Sequence, residues 1–139
     1  MPAEAFIDTS ILLYAASTSE DEAAKRAKAR QVLAQPDWGL SVQVLQELYV
    51  NLSRPPRCAM SHADAVDLIR QLVRRPVVAT DPGLVLEALR LKQRFQLSYW
   101  DAAIIAAARV VGASILYSED LNHGQDYEGV TVKNPFRAQ

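Results

Sequence analysis

The chain has 139 residues, half of them hydrophobic, and a formal net charge of −1. That is enough apolar material for the core of one ordinary domain, and the charge excludes a whole-molecule attraction to nucleic acid while leaving a local basic patch open. The single cysteine, Cys58, excludes an internal disulfide and a cysteine-based zinc site, no run reaches the length of a membrane span, and Met1-Pro2-Ala3-Glu4 lacks a signal peptide's basic start. The expectation is a cytoplasmic protein with one domain over residues 1–139.

In chain order, Ala5-Phe6-Ile7 is a short apolar run that reads as a buried strand, and a helix follows near Ser10 to Ala16. Ser19-Glu20-Asp21-Glu22 has capping-box spacing and opens a helix to about Leu33. Gly39-Leu40-Ser41 reads as a strand, and Val42 to Leu52 as a helix with Val44, Leu45, Leu48, Tyr49 and Leu52 on one face. Arg54-Pro55-Pro56-Arg57 breaks it, and Ser61 starts another helix to about Val73. Pro76 to Ala79 reads as a strand. Asp81-Pro82 sets a cap before a proline at the first helical position, opening a helix to about Phe95. The helix around Asp101 stops at Gly112, Ser114 to Tyr117 is a strand, and Val130-Thr131-Val132 is the last. Strands alternating with helices imply an α/β fold whose parallel sheet is covered on both faces.

The most informative stretch is Ser98 to Ala108, apolar on almost every side and therefore expected to be buried. Asp101 sits near its start, and Arg109 lies about two turns away, too far to pair with it. An unpaired buried carboxylate costs several kcal/mol. Asp101 is therefore protonated, at the rim of the core, part of a cap with Ser98, or bound to a cation.

In parallel α/β sheets, ligands bind beyond the carboxyl ends of the strands. Asp8 follows the first strand directly, and Glu119 and Asp120 follow the fourth after one serine. Asp101 opens the helix that leads into that fourth strand, so its helix begins at the same edge. Taken singly, Asp8 fits a helix cap and Asp120 fits a turn. Together Asp8, Asp101 and Asp120 converge, and like charges so crowded raise one another's pKa. A hard divalent cation relieves that repulsion. Oxygen-only ligands suit magnesium or manganese, the usual ions of chemistry at phosphate, where an activated water attacks phosphorus.

These residues carry a family pattern. Phe6-Ile7-Asp8-Thr9-Ser10-Ile11-Leu12-Leu13-Tyr14 resembles the opening of PIN-domain ribonucleases. Val44-Leu45-Gln46-Glu47-Leu48, Tyr99-Trp100-Asp101-Ala102-Ala103-Ile104 and Leu116-Tyr117-Ser118-Glu119-Asp120-Leu121 resemble its later motifs. In order, spacing and length the whole chain resembles the small bacterial PIN proteins, particularly the VapC toxins of toxin–antitoxin pairs. The resemblance implies a three-layer α/β/α sandwich with a mostly parallel central sheet. It implies a metal-dependent endoribonuclease acting on single-stranded or loop RNA with Mg2+ or Mn2+, a homodimer, and a VapB-like antitoxin as partner. It assigns Asp8, Glu47, Asp101 and Asp120 as the acidic quartet that binds metal and carries catalysis; Glu47 enters on the resemblance alone.

Many relatives have Asn where this chain has Ser10, and Thr where it has Ser118. Glu119 stands beside Asp120, and the family pattern places the acid at Asp120. Candidate phosphate contacts are Lys25, Arg26, Lys28 and Arg30 on one helix, and Arg54, Arg57, Arg74 and Arg75 flanking turns. The first group also fits a solvated helix face. Tyr14, Tyr49 and Trp100 fit base stacking or the core, and His123 is the histidine nearest the expected site. Two alternatives stand against the nuclease: a PIN fold kept as a non-catalytic RNA- or protein-binding module, and another magnesium-dependent phosphate-handling α/β domain. Asp8-Thr9-Ser10 lacks the Asp-x-Asp of a haloacid-dehalogenase phosphatase. Arg57-Cys58-Ala59 and Lys133-Asn134-Pro135 do not provide a receiver domain's phospho-accepting Asp and its Lys partner.

Overall fold

The computed structural model describes residues 2–137 of the chain, so Met1 and residues 138–139 of the expected single-domain span lie outside it. Its strands are short and mostly apolar, and five of its six described α-helices begin at a side chain that accepts a first-turn N–H. In chain order the elements are β1 (Ala5–Ile7), α1 (Thr9–Ala16), α2 (Ala23–Leu33), β2 (Trp38–Ser41), α3 (Val42–Leu52), α4 (His62–Leu72), β3 (Val77–Val78), α5 (Pro82–Phe95), α6 (Tyr99–Val110), β4 (Ile115–Tyr117), β5 (Asp126–Tyr127) and β6 (Val130–Lys133). Ser41, Ser61, Asp81 and Ser98 each accept a backbone N–H of the first turn of α3, α4, α5 and α6. These bonds satisfy donors that a helix start leaves without partners.

The sheet runs in the order β3-β2-β1-β4-β6-β5. All its pairs are parallel except β5 with β6. The chain steps outward from β1 to β2 and β3, then returns to lay β4 on the other side of β1. The β1–β4 seam is therefore where strand order reverses, and crevices for ligands form at the carboxyl end of such a seam. Ile7 pairs with Tyr117 there, and the Asp8 N–H donates to the Tyr117 carbonyl at 3.0 Å, so Asp8 and Ser118 leave the sheet side by side.

α6 lies across β2, β4 and β6, with α5 packed on it, while α1 packs against α2 and α3, and α3 against α4. Phe6, Ile7, Leu40, Leu48, Ile105 and Leu116 are fully buried between sheet and helices. From Ala102 to Ala108 every residue of α6 is buried, as its composition requires. Gly39 is needed in β2 because a Cβ there would stand 2.7 Å from the Pro76 carbonyl oxygen. That carbonyl accepts the Leu40 N–H and brings in β3.

Two sequence expectations are corrected, and one strand is added to those expected. The segment after Ser19 is first a 3-10 turn over Glu20–Glu22, and α2 begins at Ala23. Ser19 makes no side-chain cap bond. Ser17 does the local work instead, accepting the Ser19 N–H and donating to Glu22. The strand expected over 76–79 is only Val77–Val78. β5 was not foreseen: it is two residues long and turns back on β6 through Glu128 and Gly129, both at positive φ.

Candidate active site

Asp8 is the N-cap residue of α1 and is 6% exposed. Its Oδ1 accepts the Thr9 N–H at 2.7 Å, and its Oδ2 accepts the Ser118 hydroxyl at 2.7 Å. Burial pushes its pKa up to about 7; the two hydrogen bonds oppose the rise, and the Asp120 and Glu47 charges add to it. The cap and site expectations for Asp8 are thus compatible, because one oxygen serves the helix while the whole carboxyl borders a pocket.

That pocket, of about 250 Å³, is lined by all four acids named from the sequence: Asp8, Glu47, Asp101 and Asp120. They come from the cap of α1 just after β1, from α3, from α6 and from the turn after β4. Glu47 is half-buried, and its Oε1 accepts the Thr9 hydroxyl at 2.9 Å. Asp101 sits half-buried at the rim of the core, where the apolar helix begins. The cap there is Ser98, whose hydroxyl accepts the Asp101 N–H at 3.1 Å. Among the described residues nothing donates to the Asp101 carboxylate, which is left facing the pocket.

Ser118 ties two acids together, since its oxygen also accepts the Asp120 N–H at 3.1 Å. The pKa of Asp120 is raised by burial and by the Glu119 and Asp101 charges, against the pull of Arg57. Glu119 has the opposite environment. Its carboxylate accepts the Lys25 ammonium at 2.6 Å and the Tyr14 hydroxyl at 2.7 Å. Burial would raise its pKa, but these two donors hold it below the ordinary glutamate value. Glu119 is neutralised by its neighbours, whereas among the described residues Asp120 has no such donor. Ser10, at the position where many relatives have Asn, accepts the Glu119 N–H at 3.4 Å.

Sequence reasoning missed Thr9, Gln43 and Asn51, which also line the pocket. Gln43, Glu47 and Asn51 are spaced by four on α3, so they form one polar stripe. Arg57 was foreseen as a phosphate contact and does border the pocket, stacked 4.1 Å from the Tyr14 ring centre and bonded to Glu22. Its Nη2 is buried with no hydrogen-bond partner among the described residues. Most of the other basic candidates serve the fold. Arg26 donates to the Ser17 and Ser19 carbonyls and Arg30 to that of Ala15. Arg75 stacks on Trp38 and binds the Pro36 carbonyl, at the amino-terminal end of the sheet. Tyr14 is buried, but Trp100 is 64% exposed and lies on the pocket wall. His123 is not in this pocket; its Nδ1 accepts the Asn134 N–H beyond β6.

The donor set fits a hard divalent ion: it consists of carboxylate oxygens without thiolate or imidazole. Among the described residues no three His, Cys, Asp or Glu side chains lie close enough together to ligate one ion. No described helix is long and apolar enough to cross a membrane.

Comparison with known proteins places this arrangement in context. The PIN domain model matches residues 5–125. No curated protein sequence matches the chain. Among solved structures, the chain is similar to the Mycobacterium tuberculosis toxin VapC20, described as cleaving the sarcin-ricin loop. Identity is 25%, over 84% of this chain and 89% of that one, with a TM-score of 0.67. It is also similar to a chain of a toxin–antitoxin complex from Klebsiella pneumoniae (21% identity, 96% and 99% covered, TM-score 0.68). A chain of DNA-bound VapBC from Salmonella typhimurium shares the fold at 13% identity (96% and 98% covered, TM-score 0.65). The chain belongs to the PIN-domain family, with toxins of VapBC-type toxin–antitoxin complexes among its structural neighbours.

Proposed function

We propose that this protein is a metal-dependent endoribonuclease, a single PIN domain acting in the cytoplasm as the toxin of a toxin–antitoxin pair. The observation that carries this reading is the pocket at the β1–β4 seam. Beside the neutralised Glu119, four carboxylates from four segments border it, and one of them, Asp8, is buried. Such a cluster of like charge is unfavourable in itself and becomes favourable when a divalent ion is held by Asp8, Glu47, Asp101 and Asp120.

When bound, Mg2+ or Mn2+ supplies positive charge against the phosphate and acidifies a water for attack on phosphorus. The rest of the chemistry belongs to the chain. Ser118 and the Thr9 N–H fix the Asp8 carboxyl, and the Thr9 hydroxyl fixes Glu47, so both are oriented before substrate arrives. Arg57 brings a guanidinium to the wall, where it offsets charge on a phosphate oxygen. Trp100 offers an exposed ring for a splayed base, which favours single-stranded or loop RNA over duplex.

The toxin reading rests on the likeness to VapC20 and to chains of toxin–antitoxin complexes. A VapB-like antitoxin would lie over the helices near Ser10 to Leu52 and bring a basic side chain to the four acids, in competition with the cation. An apolar groove of about 350 Å³ between α3 and α4, lined by Val42, Leu45, Tyr49 and Ile69, gives it an anchoring surface. A homodimer burying roughly 1,200–2,000 Å² is expected. The test is incubation of the purified protein with bacterial RNA, with Mg2+ and with EDTA, followed by mapping of new ends by sequencing. Discrete Mg2+-dependent ends are expected. Intact RNA in both arms would overturn the nuclease reading and favour the non-catalytic module.

A further inference from the structure

A second polar hollow, of about 410 Å³, opens at the carboxyl ends of β4 and β6, beside α2. It is on the same edge of the sheet as the four acids but has the opposite character. Lys28, His123 and Lys133 line it, and among the described residues no carboxylate does. Neither lysine has an ion-pair partner among the described residues. The His123 Nδ1 accepts the Asn134 N–H at 3.0 Å, which puts the proton of the neutral ring on Nε2 and makes that nitrogen a donor. The hollow therefore presents two ammonium groups and an imidazole N–H, a set built to receive anionic oxygen.

It is also connected to the carboxylate pocket. Lys28 borders a neighbouring hollow that Lys25 lines, and the two lysines are three apart on α2, on one face. Lys25 in turn holds Glu119, which lines the carboxylate pocket. A basic path thus leads from the rim of the acids across α2 to Lys133. An RNA strand with one phosphate among the carboxylates carries others on either side, and the acids repel those. Cations just outside the pocket meet them.

We propose that the hollow between Lys28, His123 and Lys133 binds a backbone phosphate of the RNA strand next to the one that is cleaved. This rests on the ribonuclease reading above. An acidic protein segment offers similar oxygens, but the continuity with the carboxylate pocket favours the strand.

The test is binding of a short single-stranded RNA to the full chain carrying Asp8→Asn, so that the strand stays intact, measured by fluorescence anisotropy across a salt series. Adding Lys28→Ala with Lys133→Ala should weaken binding at least tenfold at low salt. It should also flatten the slope of log affinity against log salt by about 0.7, since the hollow takes one phosphate and each single-strand phosphate neutralised adds about 0.7 to that slope. Both lysines are exposed, so truncation leaves the core intact and the thermal midpoint should not move. Lys92→Ala, on exposed α5 and outside both hollows, should change neither affinity nor slope. If the wild type cleaves RNA but the double variant binds it with unchanged affinity and slope, this inference alone fails. If the double variant loses binding of poly-glutamate while RNA binding is unchanged, the hollow is a protein site and the phosphate assignment is overturned. If the wild type neither binds nor cleaves RNA, both readings fall together.

Discussion

Ser118 donates its hydroxyl to Asp8 Oδ2 at 2.7 Å, across a separation of 110 positions in the chain. The same oxygen accepts the Asp120 N–H, so one side chain sets the spacing of two acids that emerge from adjacent parallel strands. Removing it should therefore change the chemistry more than the fold. Ser118→Ala should cost about 1 kcal/mol of stability, one ordinary hydrogen bond. Because the hydroxyl holds the Asp8 pKa down, its loss raises that pKa further, and the acid limb of the cleavage rate should move to higher pH. Ser118→Thr should restore the wild-type profile. A pH profile that does not move in Ser118→Ala would show that the bond does not tune the site.

Asp8 links the site to stability. An unfolded aspartate titrates near 3.9, whereas Asp8 in the fold is pushed up to about 7. Between those values the folded state holds a proton that the unfolded state has lost. The stability of the metal-free protein should then be highest at low pH within this window, fall as pH rises from about 4 to about 7, and level off above. The loss is of the order of 2–4 kcal/mol. Asp8→Asn keeps the shape and the cap without the charge, so its thermal midpoint in EDTA should exceed the wild type's at pH 8. Added Mg2+ should raise only the wild type strongly. A wild-type midpoint that is flat from pH 5 to 8 in EDTA would contradict this.

Glu119 and Asp120 are adjacent in sequence but unlike in surroundings. Glu119 is held by Lys25 and Tyr14, and Asp120 borders the pocket without a donor to its carboxylate among the described residues. Glu119→Gln should keep cleavage within a few-fold of wild type, with stability lowered by no more than about 1 kcal/mol for a half-exposed ion pair. Should Glu119→Gln abolish cleavage at an unchanged thermal midpoint, Glu119 and not Asp120 would be the working acid.

Trp100 is 64% exposed beside Asp101. Trp100→Ala should leave the thermal midpoint near that of wild type and raise KM for single-stranded RNA by about tenfold, within the 1–3 kcal/mol of one base stack. An unchanged KM would remove stacking from the mechanism.

Much of this was legible in the sequence because the signals were local. Ser61, Asp81 and Ser98 cap the helices they were expected to open, and apolar β1 and β4 are the strands expected. The convergence of Asp8, Asp101 and Asp120 follows from the geometry of parallel sheets, which puts strand ends and the starts of the following helices at one edge. Glu47 was different. Its stripe with Gln43 and Asn51 looks like any solvated helix face, and only the contact with Thr9 on α1 gives it an inward role. Trp100 misleads in the opposite sense, since an aromatic opening an apolar helix reads as core. β5 carries too few residues for any period to show. Ser17 displaced Ser19 as the organising hydroxyl through bonds to both Glu22 and Ser19 that spacing alone does not reveal.

The most direct measurement is RNA cleavage by the wild type and by Asp8→Asn, Glu47→Gln, Asp101→Asn and Asp120→Asn, each with Mg2+ and with EDTA, alongside their thermal midpoints. If the four carboxylates hold the working ion, the wild type cleaves only with Mg2+, and each variant loses at least about a hundredfold in rate while remaining folded. Cleavage that persists in EDTA, or that survives undiminished in the folded Asp8→Asn variant, would contradict a metal-dependent nuclease built on this pocket.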